Sequence, residues 1–190
     1  MSLTENELKG LFSSATNEWS TPQEFFDQLN EEYRFTLDPC CTRETAKCDH
    51  FFTKEDDGLS RSWKGHTVFM NPPYGREIKD WIKKAYRESC KPNTTVVCLI
   101  PARTDTRYWH KYCMKASEIR LIKGRLKFGG KGPAPFPSAV VVFASLAQTT
   151  PDNIKRSIRT ANRHRSLPGA ISTKSGLRIK PILSAIDQRQ

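Results

Sequence analysis

The stretch Thr67-Val68-Phe69-Met70-Asn71-Pro72-Pro73-Tyr74-Gly75 decides how the rest of the chain is read. A short apolar run is followed by an amide, two prolines and an aromatic. Proline offers no N–H to a strand ladder and fixes its own φ. The run is therefore predicted to be a strand that ends in a stiff turn. Open α/β sheets bind their ligands beyond the carboxyl ends of strands. A plain strand-to-loop turn is the competing reading.

Such a turn suits one kind of chemistry. An exocyclic amine on an aromatic ring is a poor nucleophile, because its lone pair is spread into the ring. Two acceptors set against its N–H groups localise that pair. The Asn71 side-chain oxygen and the Pro72 carbonyl are two such acceptors. Pro73 stiffens the step that holds them, so little reorganisation is needed. Tyr74 offers a flat face on which a ring can stack.

Outward from the turn the pattern alternates. Ile78, Trp81, Ile82, Ala85 and Tyr86 follow helical spacing within a helix predicted over about 77–90. Residues 95–100 read as a buried strand of the kind found in parallel sheets. Residues 118–122 and 138–144 read as two more strands, with a Gly- and Pro-rich loop between them that is expected to be mobile. Upstream, Thr21-Pro22-Gln23-Glu24 has the form of a capping box, with Phe25, Phe26 and Leu29 on the apolar face of the helix it opens. Phe35-Thr36-Leu37-Asp38 and Phe51-Phe52-Thr53 read as short strands. The alternation predicts an α/β fold.

Composition narrows the partners. The 190 residues carry a net charge of +11, with pI about 9.5 and mean hydropathy −0.61. A basic chain points to a polyanion, most simply nucleic acid. Residues 151–190 hold nine Lys or Arg against two Asp, a net +7, so they read as a basic extension or a solubility tail. Within it, Ile154, Ile158 and Ala161 are helically spaced, and residues 166–190 read as extended or disordered. No apolar run approaches a membrane span, and residues 1–10 show no secretory pattern, so no membrane partner and a cytoplasmic location are expected. Six cysteines are then expected to be reduced thiols. Cys40, Cys41, Cys48 and His50 lack the spacing of a zinc site, and no metal is expected. A nucleophilic Cys40 is a further idea, although that chemistry ordinarily has Gln after Pro-Cys and here Cys41 follows.

Asn71-Pro72-Pro73-Tyr74 resembles the catalytic motif of S-adenosylmethionine-dependent amino-methyltransferases. Around it stand, in order, Trp19-Ser20-Thr21-Pro22, Leu37-Asp38-Pro39-Cys40, Lys47-Cys48, Phe51-Phe52-Thr53, Asp57-Gly58-Leu59, Trp63-Lys64-Gly65, Pro101-Ala102-Arg103-Thr104-Asp105-Thr106 and Gly124-Arg125. Together, over roughly residues 17–145, they resemble the small phage-type DNA N6-adenine methyltransferases. The resemblance implies a Rossmann-like class I fold, with a mostly parallel sheet and a C-terminal antiparallel hairpin. It implies a polar arm over 1–16, a methyltransferase domain over 17–150 and the basic extension over 151–190. The implied activity is transfer of methyl from S-adenosylmethionine to adenine N6 in double-stranded DNA, in a bacterial or phage-infected cell, by a monomer or weak homodimer.

Asn71, Pro72, Pro73 and Tyr74 are the implied catalytic residues. Trp19, Thr21, Pro22, Asp38, Pro39 and Asp57 are the implied cofactor contacts. Asp38 is a candidate for the cofactor's ammonium group, and Asp57 for its ribose or adenine. Each also has a plainer reading, Thr21 as a helix cap and Asp38 as a turn initiator. Arg103, Arg125, Lys127 and Phe128 are the candidate nucleic-acid contacts, with Phe128 either over the base or stapled to the core. Arg103 and its neighbours read equally as a helix start capped by Thr104. One departure stands out: Asp38-Pro39 is followed by Cys40-Cys41, where related enzymes carry a glycine-rich turn. That leaves the cofactor's methionine end to a different turn and permits a DNA-binding module that keeps a decayed methyltransferase fold; cytosine or RNA amino-methylation, which shares the fold, is the other alternative.

Overall fold

In the computed structural model, residues 19–130, 132–144, 171–172 and 178–184 are described. The apolar run before the prolines forms β1 (Thr67–Met70), and the second run forms β2 (Thr95–Pro101). They pair in parallel, from Thr67 with Thr95 to Met70 with Cys98. Past their first residues both strands are buried, which is why neither sequence alternates. Residues 35–38 lie along the other edge of β1. Leu37 bridges Val68 and Asp38 bridges Phe51, both in parallel. These upstream segments make single bridges rather than full strands.

On the other side the direction reverses. β4 (Ser138–Ala144) pairs antiparallel with β2, and β3 (Glu118–Lys123) pairs antiparallel with β4. The expected closing hairpin is thus present. Two C-terminal strands add to β3: β6 (Arg178–Ser184) in parallel, then β5 (Ile171–Ser172) antiparallel to β6. The sheet order is β1-β2-β4-β3-β6-β5. The result is a mixed sheet. Pairing is parallel around β1 and again between β3 and β6, and antiparallel around β4 and between β5 and β6, so the sheet is mixed rather than mostly parallel. The polar arm 1–16 and the helical spacing at 154–161 lie outside the described residues.

Helices α1 (Gln23–Tyr33) and α2 (Ile78–Ser89) bury the faces their spacing predicts: Phe25, Phe26 and Leu29 in α1, Ile78, Trp81, Ile82 and Ala85 in α2. α2 packs on β2 and β4. The capping box does not form. Pro22 stands at the cap position of α1 with no side-chain cap bond, although a capping hydroxyl contributes about 1 kcal/mol to a helix. The Thr21 hydroxyl is bonded elsewhere, as described below. Short α3 (Arg107–Lys111) likewise starts at Thr106, not Thr104, and Thr106 Oγ1 donates to the Arg103 carbonyl at 2.7 Å instead of capping.

Register places five connections on one rim of the sheet. Segment 35–38, β1, β2 and β3 all run the same way, and β4 starts where β2 ends, with Ser138 opposite Pro101. The turns after Asp38, Met70 and Pro101 therefore share an edge with the β3–β4 connection and with the loop after Phe52.

Candidate active site

Asn71 is the first residue past β1, half-buried on that rim. Its carboxamide is held at both ends. Nδ2 donates to the Trp19 carbonyl at 2.5 Å and to Thr21 Oγ1 at 2.9 Å. A backbone carbonyl only accepts, so the end facing Trp19 is the NH2. Oδ1, at the other end, accepts the Tyr74 hydroxyl at 2.6 Å. That hydroxyl also lies 3.3 Å from the Leu99 carbonyl. Burial pushes the Tyr74 phenol well above its ordinary range, so it stays a donor.

Tyr74 is buried within a cluster of rings. Trp19 lies nearly parallel to it, with centroids 6.4 Å apart. Phe128 and Phe136 meet its edges at 6.0 and 5.4 Å, and both also meet Trp19. Phe128 thus reaches Tyr74 and is itself buried. Phe136 had no part in the sequence reading; an aromatic between Pro135 and Pro137 in a rim loop was the available signal. Two backbone hydrogen bonds join described residues of the loop between β3 and β4 to their surroundings. Gly129 N–H donates to the Ser20 carbonyl at 3.1 Å, and Ala134 N–H to the Leu126 carbonyl at 2.8 Å.

Beside Asn71 lies the turn of Asp38. Its carboxylate accepts the N–H groups of Cys40 at 3.4 Å and Lys47 at 3.2 Å. It therefore closes the segment that stands in place of a glycine-rich turn. Burial pushes the Asp38 carboxyl up to about 6, against the pull of those two N–H bonds. Cys40 sits between the two turns: burial and then Asp38 raise its thiol, while the Asn71 N–H bonds to it and opposes the rise. Burial also raises Cys41, and pushes Cys48 up to about 12. Thiols held protonated at neutral pH are poor nucleophiles, which weighs against a cysteine route.

The Asp57-Gly58 turn packs onto the same place. Asp57 adopts left-handed backbone with φ 50° and is exposed on the rim. A Cβ on Gly58 would stand 2.0 Å from the Pro39 carbonyl oxygen. Gly58 O in turn accepts the Trp63 indole N–H at 3.0 Å, and Trp63 is fully buried. Pro22 is half-buried just after Thr21. The structure thus brings Trp19 and Thr21 to Asn71 and the Asp57-Gly58 turn to Pro39, while Pro22 stands at the cap of α1.

Arg103, Arg125 and Lys127 are exposed, and none forms an ion pair among the described residues. Arg103 belongs to the turn after β2, the other two to the β3–β4 connection. No group of three or more His, Cys, Asp or Glu side chains suited to a metal ion occurs among the described residues. No described helix is long and apolar enough to cross a membrane.

The donor set fits a cationic cofactor with hydroxyl groups. A carboxylate has room for about four hydrogen bonds, and the two Asp38 receives from the backbone are long. Its raised pKa is the cost of burial, which a neighbouring ammonium would reverse. Asp57 is exposed in the turn whose Gly58 lies against Pro39.

Known proteins share this sequence pattern. The family model described as DNA N-6-adenine-methyltransferase (Dam) matches residues 10–179. A curated relative from Escherichia phage T1, named DNA N-6-adenine-methyltransferase, is 34% identical over 110 residues, which cover 57% of this chain and 45% of the relative. One of the same name from Haemophilus phage HP1 (strain HP1c1) is 30% identical over 106 residues, covering 55% of this chain and 61% of its own. The chain spans about half the length of the curated relatives it matches.

Proposed function

The chain belongs to the DNA N-6-adenine-methyltransferase family, and from that premise we propose that it methylates the exocyclic N6 amine of adenine in double-stranded DNA. The observation that carries this reading is the fixed carboxamide of Asn71. Its oxygen end is set at the carboxyl end of β1, and one of its two lone pairs remains for an amine N–H.

S-adenosylmethionine, when bound, supplies the electrophilic methyl group. The chain's own residues present the amine. Asn71 Oδ1 and the Pro72 carbonyl accept from its two N–H groups and so concentrate the lone pair on nitrogen. Pro73 holds that second acceptor in place, which gives a preorganised pair of dipoles. Tyr74 supplies the face for a base that has left the helix stack, once the rings of Trp19, Phe128 and Phe136 that cover it here make way. No side chain is needed as a strong base, because the amine sheds its proton after transfer. Holding the amine in line with the methyl donor is the larger share of the catalysis.

Asp38, Pro39 and Asp57 are proposed to hold the cofactor, with Trp19, Thr21 and Pro22 closing the same side. Arg103, Arg125 and Lys127 are proposed to meet phosphates, and Phe128 the base. The reading includes a Rossmann-like class I domain over 17–150, supported by Asp38 and Asn71 ending neighbouring parallel segments. It also includes the polar arm 1–16, the basic extension 151–190, action as a monomer or weak homodimer, and a cytoplasmic location.

The test is transfer of labelled methyl from S-adenosylmethionine to unmethylated genomic duplex DNA, followed by nucleoside analysis, with Asn71→Ala alongside. Label in N6-methyladenine that disappears in the variant is the expected result. Label in methylcytosine or in RNA keeps the chemistry and changes the substrate. Cofactor binding without label in any nucleic acid overturns the reading.

A further inference from the structure

A carboxamide has two ends of nearly equal size and opposite polarity. Turned over, Asn71 would aim an NH2 at the substrate amine, donor against donor. Its orientation is therefore a condition for reaction. We propose that the segment Trp19–Thr21 is the device that sets this orientation, with the Thr21 hydroxyl as a positioning residue for Asn71. The inference rests on the reading that Asn71 Oδ1 accepts from the target amine.

Three observations carry it. First, both contacts to Nδ2 come from this segment, one from the Trp19 carbonyl and one from Thr21 Oγ1. Second, Thr21 is buried, 6% exposed, and its hydroxyl forgoes the helix cap for which its sequence position suits it. Nδ2 can only donate, so the Thr21 oxygen is the acceptor in this contact. Third, the segment is pinned from the far side. The Ser20 carbonyl accepts Gly129 N–H, and the Trp19 ring packs against Tyr74, Phe128 and Phe136. The loop between β3 and β4, which carries Arg125 and Lys127, is thereby joined through three residues to the catalytic amide.

This role differs from a cofactor contact, and the two predict different kinetics. Thr21→Val keeps the shape and removes the acceptor; Thr21→Ser restores it. With the full chain, Thr21→Val is expected to lower kcat about threefold to tenfold, the worth of one net hydrogen bond. Affinity for S-adenosylmethionine, whose site Thr21 is also proposed to close, is expected to fall by less than kcat does, and the dissociation constant for unmethylated duplex DNA to stay within about threefold of the parent. Thr21→Ser recovers the rate. A second readout needs no substrate. In 15N-labelled protein, the Asn71 NH2 resonances, assigned by their loss in Asn71→Ala, are expected to be slow to exchange with water. They become fast in Thr21→Val and slow again in Thr21→Ser.

Unchanged exchange in Thr21→Val overturns the proposal, as does an unchanged kcat. A loss confined to cofactor affinity also overturns it and leaves Thr21 as a cofactor contact. Should the parent protein methylate no nucleic acid, the function proposed above fails by itself, and amide exchange still decides whether Thr21 holds Asn71.

Discussion

The Tyr74 hydroxyl donates to Asn71 Oδ1 at 2.6 Å, the same oxygen proposed to accept from the substrate amine. Tyr74 is therefore a hydrogen-bond partner for Asn71 as well as the ring proposed for stacking. The two parts separate by substitution. Tyr74→Phe keeps the ring, and Trp19 and Thr21 still fix Asn71, so methyl transfer is expected to stay within about fivefold of the parent, the worth of one net hydrogen bond. Tyr74→Ala removes a stacking face worth roughly 1–3 kcal/mol. Its kcat/KM for DNA is expected to fall roughly tenfold to a hundredfold. Steady-state kinetics on duplex DNA, with circular dichroism to confirm folding, checks both.

Gly58 lies against Pro39 with no room for a side chain. The Cβ of an alanine would meet backbone oxygen at 2.0 Å, with the Trp81 ring at 3.3 Å behind it. Neither is the far end of a flexible side chain, so the loop itself must shift. Overpacking of this kind costs about 1–3 kcal/mol. Gly58→Ala is expected to lower the unfolding midpoint and to weaken S-adenosylmethionine binding, because Asp57 and Pro39 move together. Binding calorimetry and thermal unfolding report the two effects. Full affinity in a folded Gly58→Ala protein would separate this turn from the cofactor.

How much of this was legible follows from what each residue depends on. β2 and β4 were readable because a wholly buried strand is apolar throughout, a local property. α2 was readable from its helical spacing. Thr21 was not, because its hydroxyl suits a helix cap and a distant amide equally, and the choice rests on Asn71, which the fold brings near. The contact of Gly58 with Pro39 joins two loops, and neither loop's composition records it; only the turn at Asp57-Gly58 was visible. Phe136 was missed because one aromatic in a Pro-rich loop has no periodic partner. β6 beside β3 was missed because the basic residues at 178 and 180 hide a strand inside a charged tail.

Asp38 gives cofactor affinity a pH dependence. Its carboxyl is raised to about 6 by burial in the protein without ligand. An ammonium meets only the ionised form, so the proton must leave before that contact forms. Affinity for S-adenosylmethionine is therefore expected to be full above pH 7 and to weaken about tenfold for each unit below about 6. Asp38→Asn is expected to bind more weakly at pH 7.5 and to lose the slope. Titrations from pH 5 to 8 measure this. A slope that persists in Asp38→Asn assigns the proton to another group.

Glu88 gives stability a pH dependence through a shift of opposite sign, a carboxyl lowered rather than raised. The residue is buried, 2% exposed, on α2. Its carboxylate accepts Lys84 Nζ and Lys91 Nζ at 2.7 Å and the Trp63 N–H at 2.8 Å. Burial pushes its pKa up, but these three bonds outweigh burial and hold it below the usual range. A carboxyl depressed in the folded state stabilises above its unfolded pKa, near 4.3, and the gain is lost as pH falls through the lower folded value. Charge-assisted bonds contribute about 1.5–3 kcal/mol each when buried. Lys84 and Lys91 are partly exposed and recover solvent when released, so the net effect is expected at the low end. Glu88→Gln is expected to cost about 1–3 kcal/mol at pH 7, and the gap to the parent to close below pH 4. Urea unfolding at both pH values decides it. A gap that is the same at pH 7 and pH 3.5 would make the loss one of packing around Trp63 rather than of charge.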